Sequence, residues 1–133
     1  MNIALMAHDR KKELMVQFCI AYCGILAGHN ICATSTTGRL VAEATGLPIT
    51  FYLPASQGGA QQIGARIAYN ELDLVLFFGD PSIGDPNGSL NDIARLCDQY
   101  NVPYASNVAT AEVLIQGLRR GDLDWRDIVN PKK

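Results

Sequence analysis

Short apolar runs alternate with amphipathic segments along the whole chain, and this alternation constrains the fold more than any other feature of the sequence. Five runs are predicted to be strands: Asn2–Met6, Asn30–Ala33, Ile49–Leu53, Leu74–Phe78 and Val102–Ala105. The fourth run is apolar throughout, which is typical of a strand that is covered on both faces. Five βα units in succession favour a parallel sheet with helices on both faces and right-handed crossovers. We therefore expect one α/β domain over residues 1–133, with three α/β/α layers and a five-stranded parallel sheet.

Each predicted strand is followed by a segment with the apolar periodicity of a helix. The predicted helices are Lys11–Ala27, Arg39–Ala44, Gln61–Asn70, Leu90–Tyr100 and Ala109–Leu118. Gly46 is expected to end the second of them, because glycine readily adopts the left-handed backbone found at helix ends. The remaining tail, Gly121–Lys133, is polar, and Trp125 is expected to anchor it on the domain.

The composition is that of a soluble globular protein, with 48% hydrophobic and 18% charged residues in a chain of 133. The formal net charge of −2 offers no general attraction to nucleic acid or to an anionic membrane, so we expect neither as a partner. Met1 leads directly into the first predicted strand, and no apolar run approaches the roughly 20 residues that span a bilayer. The sequence therefore predicts a cytoplasmic protein.

The four cysteines are Cys19, Cys23, Cys32 and Cys97. They show neither the C-x-x-C spacing nor the accompanying histidine pattern of a metal site. We expect reduced thiols in the core, and neither a metal nor any other cofactor.

A polar cluster follows each predicted strand, at the edge where a parallel sheet binds its ligands. The clusters are Ala7–Asp9, Thr34–Gly38, Pro54–Gln62, Gly79–Pro81 and Ser106–Asn107. Hydroxyl groups and unpaired backbone N–H groups at a helix start favour a bound anion. The threonine-rich second cluster and the Gly58–Gly59 turn of the third therefore predict a site for inorganic phosphate or a small phosphorylated metabolite.

Each of these clusters also has a purely structural interpretation, which the sequence leaves open. His8 can cap the end of a strand, and Thr34–Thr37 can be a helix N-cap. Gly58–Gly59 can form a tight turn that touches no ligand. Asp80–Pro81 is a common loop start, and Asn107 is a common turn residue. The five clusters together, rather than any one of them, favour a site.

Five motifs, in a fixed order and spacing, give the chain a specific resemblance over nearly its whole length. They are Ile3–Asp9 with Lys12, Ala33–Gly38, Gly58–Gly59 with Gln61–Ala65, Phe77–Phe78 with Asp80–Pro81, and Asn107–Ala111. In these motifs the chain resembles the methylglyoxal synthase family. The resemblance implies a homohexameric cytosolic lyase that converts dihydroxyacetone phosphate into methylglyoxal and inorganic phosphate without a cofactor. The same domain type also serves as a non-catalytic regulatory module in carbamoyl phosphate synthetase.

The resemblance also implies roles for individual residues. The residues that match the family's phosphate grip are Lys12, Thr34, Thr36 and Thr37. One cation with several hydroxyl donors suits a phosphate group. The residues that match the substrate end of the site are His8, Asp9 and Asp80, and further pocket positions fall on Gly58, Gly59, Asn87 and Asn107.

The chain departs from the family at the positions that carry proton transfer. Ala60 follows the Gly-Gly pair where the family has its aspartate general base, and a methyl group cannot accept a proton. The loop Ser82–Asn91 contains no histidine where the family has one that polarises the substrate carbonyl, and Pro86 or Asn87 lies nearest that position. Pro54-Ala55 stands where the family has a Ser-Gly pair before the Gly-Gly turn, and a proline offers no N–H donor to a phosphate.

Two functions are therefore compatible with the sequence. The first is elimination of phosphate from dihydroxyacetone phosphate at an impaired rate, with Asp9 or Asp80 acting as the base. The second is a non-catalytic binding or regulatory module for phosphate or a small phosphorylated metabolite.

Overall fold

The protein is described by a computed structural model that covers residues 1–129 and Pro131. Its strands are β1 (Asn2–Ala7), β2 (Asn30–Thr34), β3 (Ile49–Tyr52), β4 (Leu74–Phe78) and β5 (Tyr104–Ala105). All five are parallel and lie in the order β3-β2-β1-β4-β5. The chain builds the sheet outward from β1 to β3 and then returns to β4 on the other side of β1. The strand order therefore reverses between β1 and β4, where ligands of such sheets bind.

Helices cover both faces of the sheet. They are α1 (Lys12–Ala21), α2 (Cys23–Leu26), α3 (Ser35–Thr45), α4 (Gly59–Ala68), α5 (Ser89–Tyr100), α6 (Val108–Arg120) and α7 (Trp125–Val129), with 3₁₀ turns at Asp9–Lys11 and Ala55–Gln57. One face buries side chains of α1, α3 and α6, such as Met15, Val41 and Ile115. The other face buries side chains of α4 and α5, such as Ile63 and Ile93. The predicted three-layer α/β fold with a five-stranded parallel sheet is confirmed.

Three predicted helices differ from the observed ones by at most two residues at either end, and two differ by more. The helix predicted over Lys11–Ala27 is interrupted at Tyr22, whose backbone (φ −110°, ψ 22°) leaves the helical range. The Tyr22 ring packs 4.9 Å from that of Phe18, and its hydroxyl donates to Glu112 of α6, so the interruption coincides with a tertiary contact. The helix predicted over Arg39–Ala44 begins earlier, at Ser35, so the polar run forms its first turn.

The C-terminal tail is anchored by a different residue from the one predicted. Trp125 is 45% exposed, whereas its neighbour Arg126 is fully buried. The guanidinium of Arg126 donates to Asp73 Oδ1 (3.3 Å), to the carbonyl of Leu72 (3.2 Å) and to that of Asn101. The prediction that Trp125 anchors the tail is wrong. The sequence did not indicate Arg126 instead, because a charged residue in a polar tail is normally solvated.

The Asp73–Arg126 ion pair joins four parts of the fold. Both side chains are fully buried, and the second carboxylate oxygen of Asp73 accepts the N–H of Asn2 at 2.8 Å. The pair therefore connects α7 with the start of β1, the start of β4 and the turn after α5. Removing one partner of a buried pair costs more than the pair contributes, because it leaves the other charge in the interior without compensation.

Replacing Arg126 should therefore destabilise the whole domain. For Arg126→Met we expect the free energy of unfolding, measured by urea denaturation, to fall by about 3–5 kcal/mol. The matched control is Arg95→Met, which removes an exposed partner of Asp92 and should cost less than about 1 kcal/mol. Equal losses in the two variants would contradict the anchoring role of Arg126.

Candidate functional site

A cavity of about 460 Å³ lies at the carboxyl ends of β1, β2 and β4. Most of the residues that the sequence predicted for a site line it: His8, Asp9, Lys12, Thr34, Thr36, Asp80 and Asn87. They come from the ends of three strands and from the loop before α5. The topology therefore brings together residues that are up to about 80 positions apart in the chain.

Lys12 is the first residue of α1 and reaches back over the end of β1. Its ammonium group donates to Asp9 Oδ1 (2.7 Å) and to the carbonyl oxygen of Ala7 (3.0 Å). The Lys12 side chain is 16% exposed, whereas that of Asp9 is 98% exposed. The hydrogen bond from Lys12 holds the pKa of the Asp9 carboxyl below its ordinary value. Since an ammonium group has three hydrogens, Lys12 keeps one donor for a ligand.

His8 and Asp80 are joined across the two central strands. The backbone N–H of Asp80 donates to His8 Nδ1 at 2.8 Å. A ring nitrogen that accepts a hydrogen bond carries no proton, so a neutral His8 has its proton on Nε2. The ring also packs edge-on against Phe77, with centroids 5.3 Å apart. These two contacts fix both the orientation and the tautomer of His8.

The Asp80 carboxylate is buried and only half satisfied. Its Oδ1 accepts the backbone N–H (3.0 Å) and the hydroxyl (2.7 Å) of Ser82. Its Oδ2 is buried and has no hydrogen-bond partner among the described residues. The hydrogen bonds from Ser82 hold the pKa of the Asp80 carboxyl below its ordinary value. Buried polar atoms are nearly always paired, so the Oδ2 of this cavity residue is an exception and remains available as an acceptor.

The threonine run forms the start of α3. Thr34 precedes the helix in extended conformation and is 4% exposed, and Thr36 lies in the first turn. Both residues line the cavity. The first N–H groups of α3 have no partner within the helix and lie at the positive end of its dipole. Hydroxyl and backbone donors therefore converge on this wall of the cavity.

The third wall consists of Pro54, Ala55 and Ser56, and its position is fixed by the start of α4. The backbone N–H of Leu53 donates to Gln62 Oε1 at 2.9 Å. A Cβ on Gly59 would lie 1.9 Å from the carbonyl oxygen of Leu53, so only glycine fits there. The Gly-Gly motif therefore lets α4 approach the end of β3.

Several predicted residues do not line the cavity: Thr37, Gly58, Gly59, Ala60 and Asn107. Thr37 is 1% exposed, and its hydroxyl has no hydrogen-bond partner among the described residues. Gly58 has a left-handed backbone (φ 107°) that ends the 3₁₀ turn. The Asn107 side chain accepts the N–H of Thr110 and caps α6. Ala60 is 5% exposed and lines a neighbouring cleft between α4 and α5 instead.

The sequence argument missed four polar residues of the cavity wall: Arg10, Ser56, Asp85 and Ser89. Arg10 precedes Lys12 in the same turn and adds a second cation. Asp85 accepts the backbone N–H groups of Leu90 and Asn91 (3.1 and 3.0 Å) and so fixes the start of α5. Arg10 directly follows the motif that ends at Asp9, and Asp85 lies four positions after Pro81, so proximity to the motifs was the signal available in the sequence.

Three of the cysteines, Cys19, Cys32 and Cys97, are buried, and all four are free thiols. Burial raises the pKa of Cys19 and of Cys97 to about 12. Within residues 1–129 and Pro131, no group of three or more His, Cys, Asp or Glu side chains is arranged to hold a metal ion. In the same part of the chain, no helix combines the length and the apolar character needed to cross a membrane.

Known proteins are similar to this chain in both fold and sequence. The MGS-like domain family matches residues 15–106. A methylglyoxal synthase from Caldicellulosiruptor saccharolyticus is 59% identical over 133 residues, which are 99% of this chain and 94% of that protein. One from Geobacillus thermodenitrificans is 53% identical over 131 residues, 98% of this chain and 91% of that protein. The crystal structure of methylglyoxal synthase from Elizabethkingia anophelis NUHP1 has a TM-score of 0.79 and 37% identity, and the match covers 86% of this chain and 76% of that one. The resemblance seen in the motifs is confirmed, and the chain belongs to the MGS-like family of methylglyoxal synthases.

Proposed function

We propose that the cavity binds dihydroxyacetone phosphate through its phosphate group, and that the protein eliminates phosphate from it at a strongly reduced rate. The observation that carries the proposal is that the residues expected to bind phosphate line the cavity, whereas the position of the expected base does not. Lys12, Thr34 and Thr36 line the cavity, whereas Ala60 faces another cleft and has no ionisable group. The homohexameric state and the cytoplasmic location that the resemblance implies stay predictions.

The phosphate lies between Lys12 and the start of α3. The free hydrogen of the Lys12 ammonium donates to one phosphate oxygen, and the hydroxyls of Thr34 and Thr36 donate to others. The unpaired N–H groups of the first helical turn add donors, and the helix dipole favours the negative charge. The same groups stabilise inorganic phosphate as it leaves.

Elimination begins with removal of a proton from the carbon beside the carbonyl group. The electron pair of that C–H bond forms an enediolate, and its collapse breaks the C–O bond to phosphate. The neutral His8, with its proton on Nε2, donates to the carbonyl oxygen as negative charge develops there. His8 thus takes the role that the resemblance assigns to a histidine near Asn87.

Asp80 is a better candidate for the base than Asp9. The Asp9 side chain is almost fully exposed and its carboxylate is bound to Lys12. Asp80 is 5% exposed, and its Oδ2 has no partner among the described residues. The lowered pKa of Asp80 makes it a weak base, which is one reason for slow turnover.

The second candidate function is a non-catalytic module that binds phosphate or a small phosphorylated metabolite. The absence of a carboxylate at position 60 favours it, because this change removes the expected base while Lys12, Thr34 and Thr36 still line the cavity. The two candidates differ in one measurable quantity, which is phosphate release above the uncatalysed rate.

Lys12 should dominate phosphate affinity. For Lys12→Ala we expect the binding of inorganic phosphate, measured by calorimetry, to weaken by about 1.5–3 kcal/mol, the scale of a charge-assisted hydrogen bond. Lys11→Ala is the matched control, because Lys11 is adjacent but does not line the cavity. An equal loss in both variants, or no phosphate binding by the unmodified chain at millimolar concentration, would contradict the proposed grip.

Asp80 should carry the remaining turnover. We expect phosphate release from dihydroxyacetone phosphate to be roughly 10²- to 10⁴-fold slower than with a positioned base, and Asp80→Asn to abolish it. The asparagine oxygen still accepts from Ser82, so phosphate affinity should be kept. Asp9→Asn is the control and should retain the turnover of the unmodified chain.

Unchanged turnover in Asp80→Asn would show that another group is the base. Phosphate binding without any turnover in the unmodified chain would establish the non-catalytic module instead. Ordinary turnover, at roughly 1–10³ s⁻¹, would contradict the proposed impairment.

A further inference from the structure

The cleft that Ala60 faces, the α4–α5 groove, is an apolar channel between two helices. Its α4 wall is Ala60, Gly64 and Ala65, and its α5 wall includes Ile93 and Leu96. The volume is about 500 Å³. Leu96 lies over Gly64, where an added Cβ would meet its Cδ1 at 3.0 Å, and Ile93 is only 1% exposed. The apolar side chains that keep accessible surface in the groove are those of Ala65, which is exposed, and Leu96, which is half-buried. The polar residues Gln61, Asp92, Arg95 and Gln99 complete its lining.

The groove lies next to the phosphate cavity. Ser89, the first residue of α5, lines both spaces. Ala60 is the second residue of α4, only four positions after Ser56 in the cavity wall. Both helices start at the carboxyl edge of the sheet and run away from it. A ligand held in the cavity can therefore extend into the groove past Ala60 and Ser89.

Ala60 sets the chemistry of this junction. A carboxylate here, as the resemblance implies for the family, would be charged and hydrated, whereas the methyl group makes the entrance apolar. The same substitution therefore removes a base and joins an apolar groove to a phosphate site. The distance along α5 from Ser89 to Leu96 is about 10 Å, the length of a medium alkyl chain.

We propose that the α4–α5 groove binds the apolar chain of a monophosphate ester whose phosphate occupies the cavity. The proposal rests on the proposed phosphate site and names the class of ligand that this site takes. Continuity through Ser89 favours a single small molecule across both spaces over a second copy of the chain lying on the groove alone.

The test is a series of alkyl phosphates measured by calorimetry. Methyl phosphate reports on the phosphate site alone, and butyl and hexyl phosphate extend into the groove. We expect the dissociation constant to fall by roughly two- to fourfold for each added methylene group. Equal affinity for the methyl and hexyl esters would overturn the proposal.

Filling the groove should remove only the dependence on chain length. Ala65→Trp places an indole in the groove, and Ala65→Leu is a milder second variant. Both variants should bind methyl phosphate like the unmodified chain, and this binding also shows that they fold. Ala21→Trp, at an exposed alanine of α1 on the opposite face of the sheet, is the matched control and should keep the full dependence.

The remaining outcomes separate the groove from the phosphate site. A chain-length dependence that survives Ala65→Trp would place the alkyl chain elsewhere and overturn the proposal. Self-association that Ala65→Trp abolishes, without any chain-length dependence, would also overturn it and assign the groove to a second copy. The phosphate site fails if methyl phosphate does not bind, and the ester proposal then fails with it. Binding of hexanol that is lost in Ala65→Trp would show in that case that the groove is still apolar as described.

Discussion

The pairing of β1 with β4 places the two sides of the candidate site next to each other. The strands run in register, with Ala7 opposite Phe78, and the N–H of His8 continues the ladder by donating to the carbonyl of Phe78 at 3.0 Å. The residues that follow the two strands are consequently close enough for the N–H of Asp80 to bond to His8. Because the strand order reverses here, the chain leaves the two strands in opposite directions and a cavity opens between them. Lys12 and the donors at the start of α3 can form a site only because they border this opening.

A second contact, between the end of β3 and the start of α4, determines that position 60 is not part of the cavity lining. The close approach of Gly59 to Leu53 and the hydrogen bond from Leu53 to Gln62 fix the first turn of α4. In that geometry Ala60 turns toward α5 and joins the core beside Ile63 and Ile93. The residues proposed to bind phosphate and the position of the expected base thus lie on different elements. One can change while the other keeps its geometry, so the lack of the expected base is compatible with the proposed phosphate site.

The layers of the fold could be predicted because apolar runs such as Leu74–Phe78 can only be buried within a covered sheet. The cavity residues could be predicted because motifs such as Thr34–Gly38 follow strands whose carboxyl ends meet at one edge. The burial of Arg126 could not be predicted, since it depends on Asp73, which lies 53 positions away. The direction of Ala60 could not be predicted either, because it depends on the packing of α4 against β3 and α5. Local patterns specify elements, whereas these features arise from contacts between elements.

The central claim is that the cavity keeps its phosphate grip while position 60 contributes nothing to proton transfer. The most direct measurement is the rate of phosphate release from dihydroxyacetone phosphate by Ala60→Asp, with the isosteric Ala60→Asn as its control. If Ala60 is directed away from the cavity, a carboxylate there lies in the α4–α5 groove, and the rate should stay within about tenfold of that of the unmodified chain. Recovery by Ala60→Asp alone to roughly 1 s⁻¹ or more would show that position 60 reaches the substrate and would contradict the account.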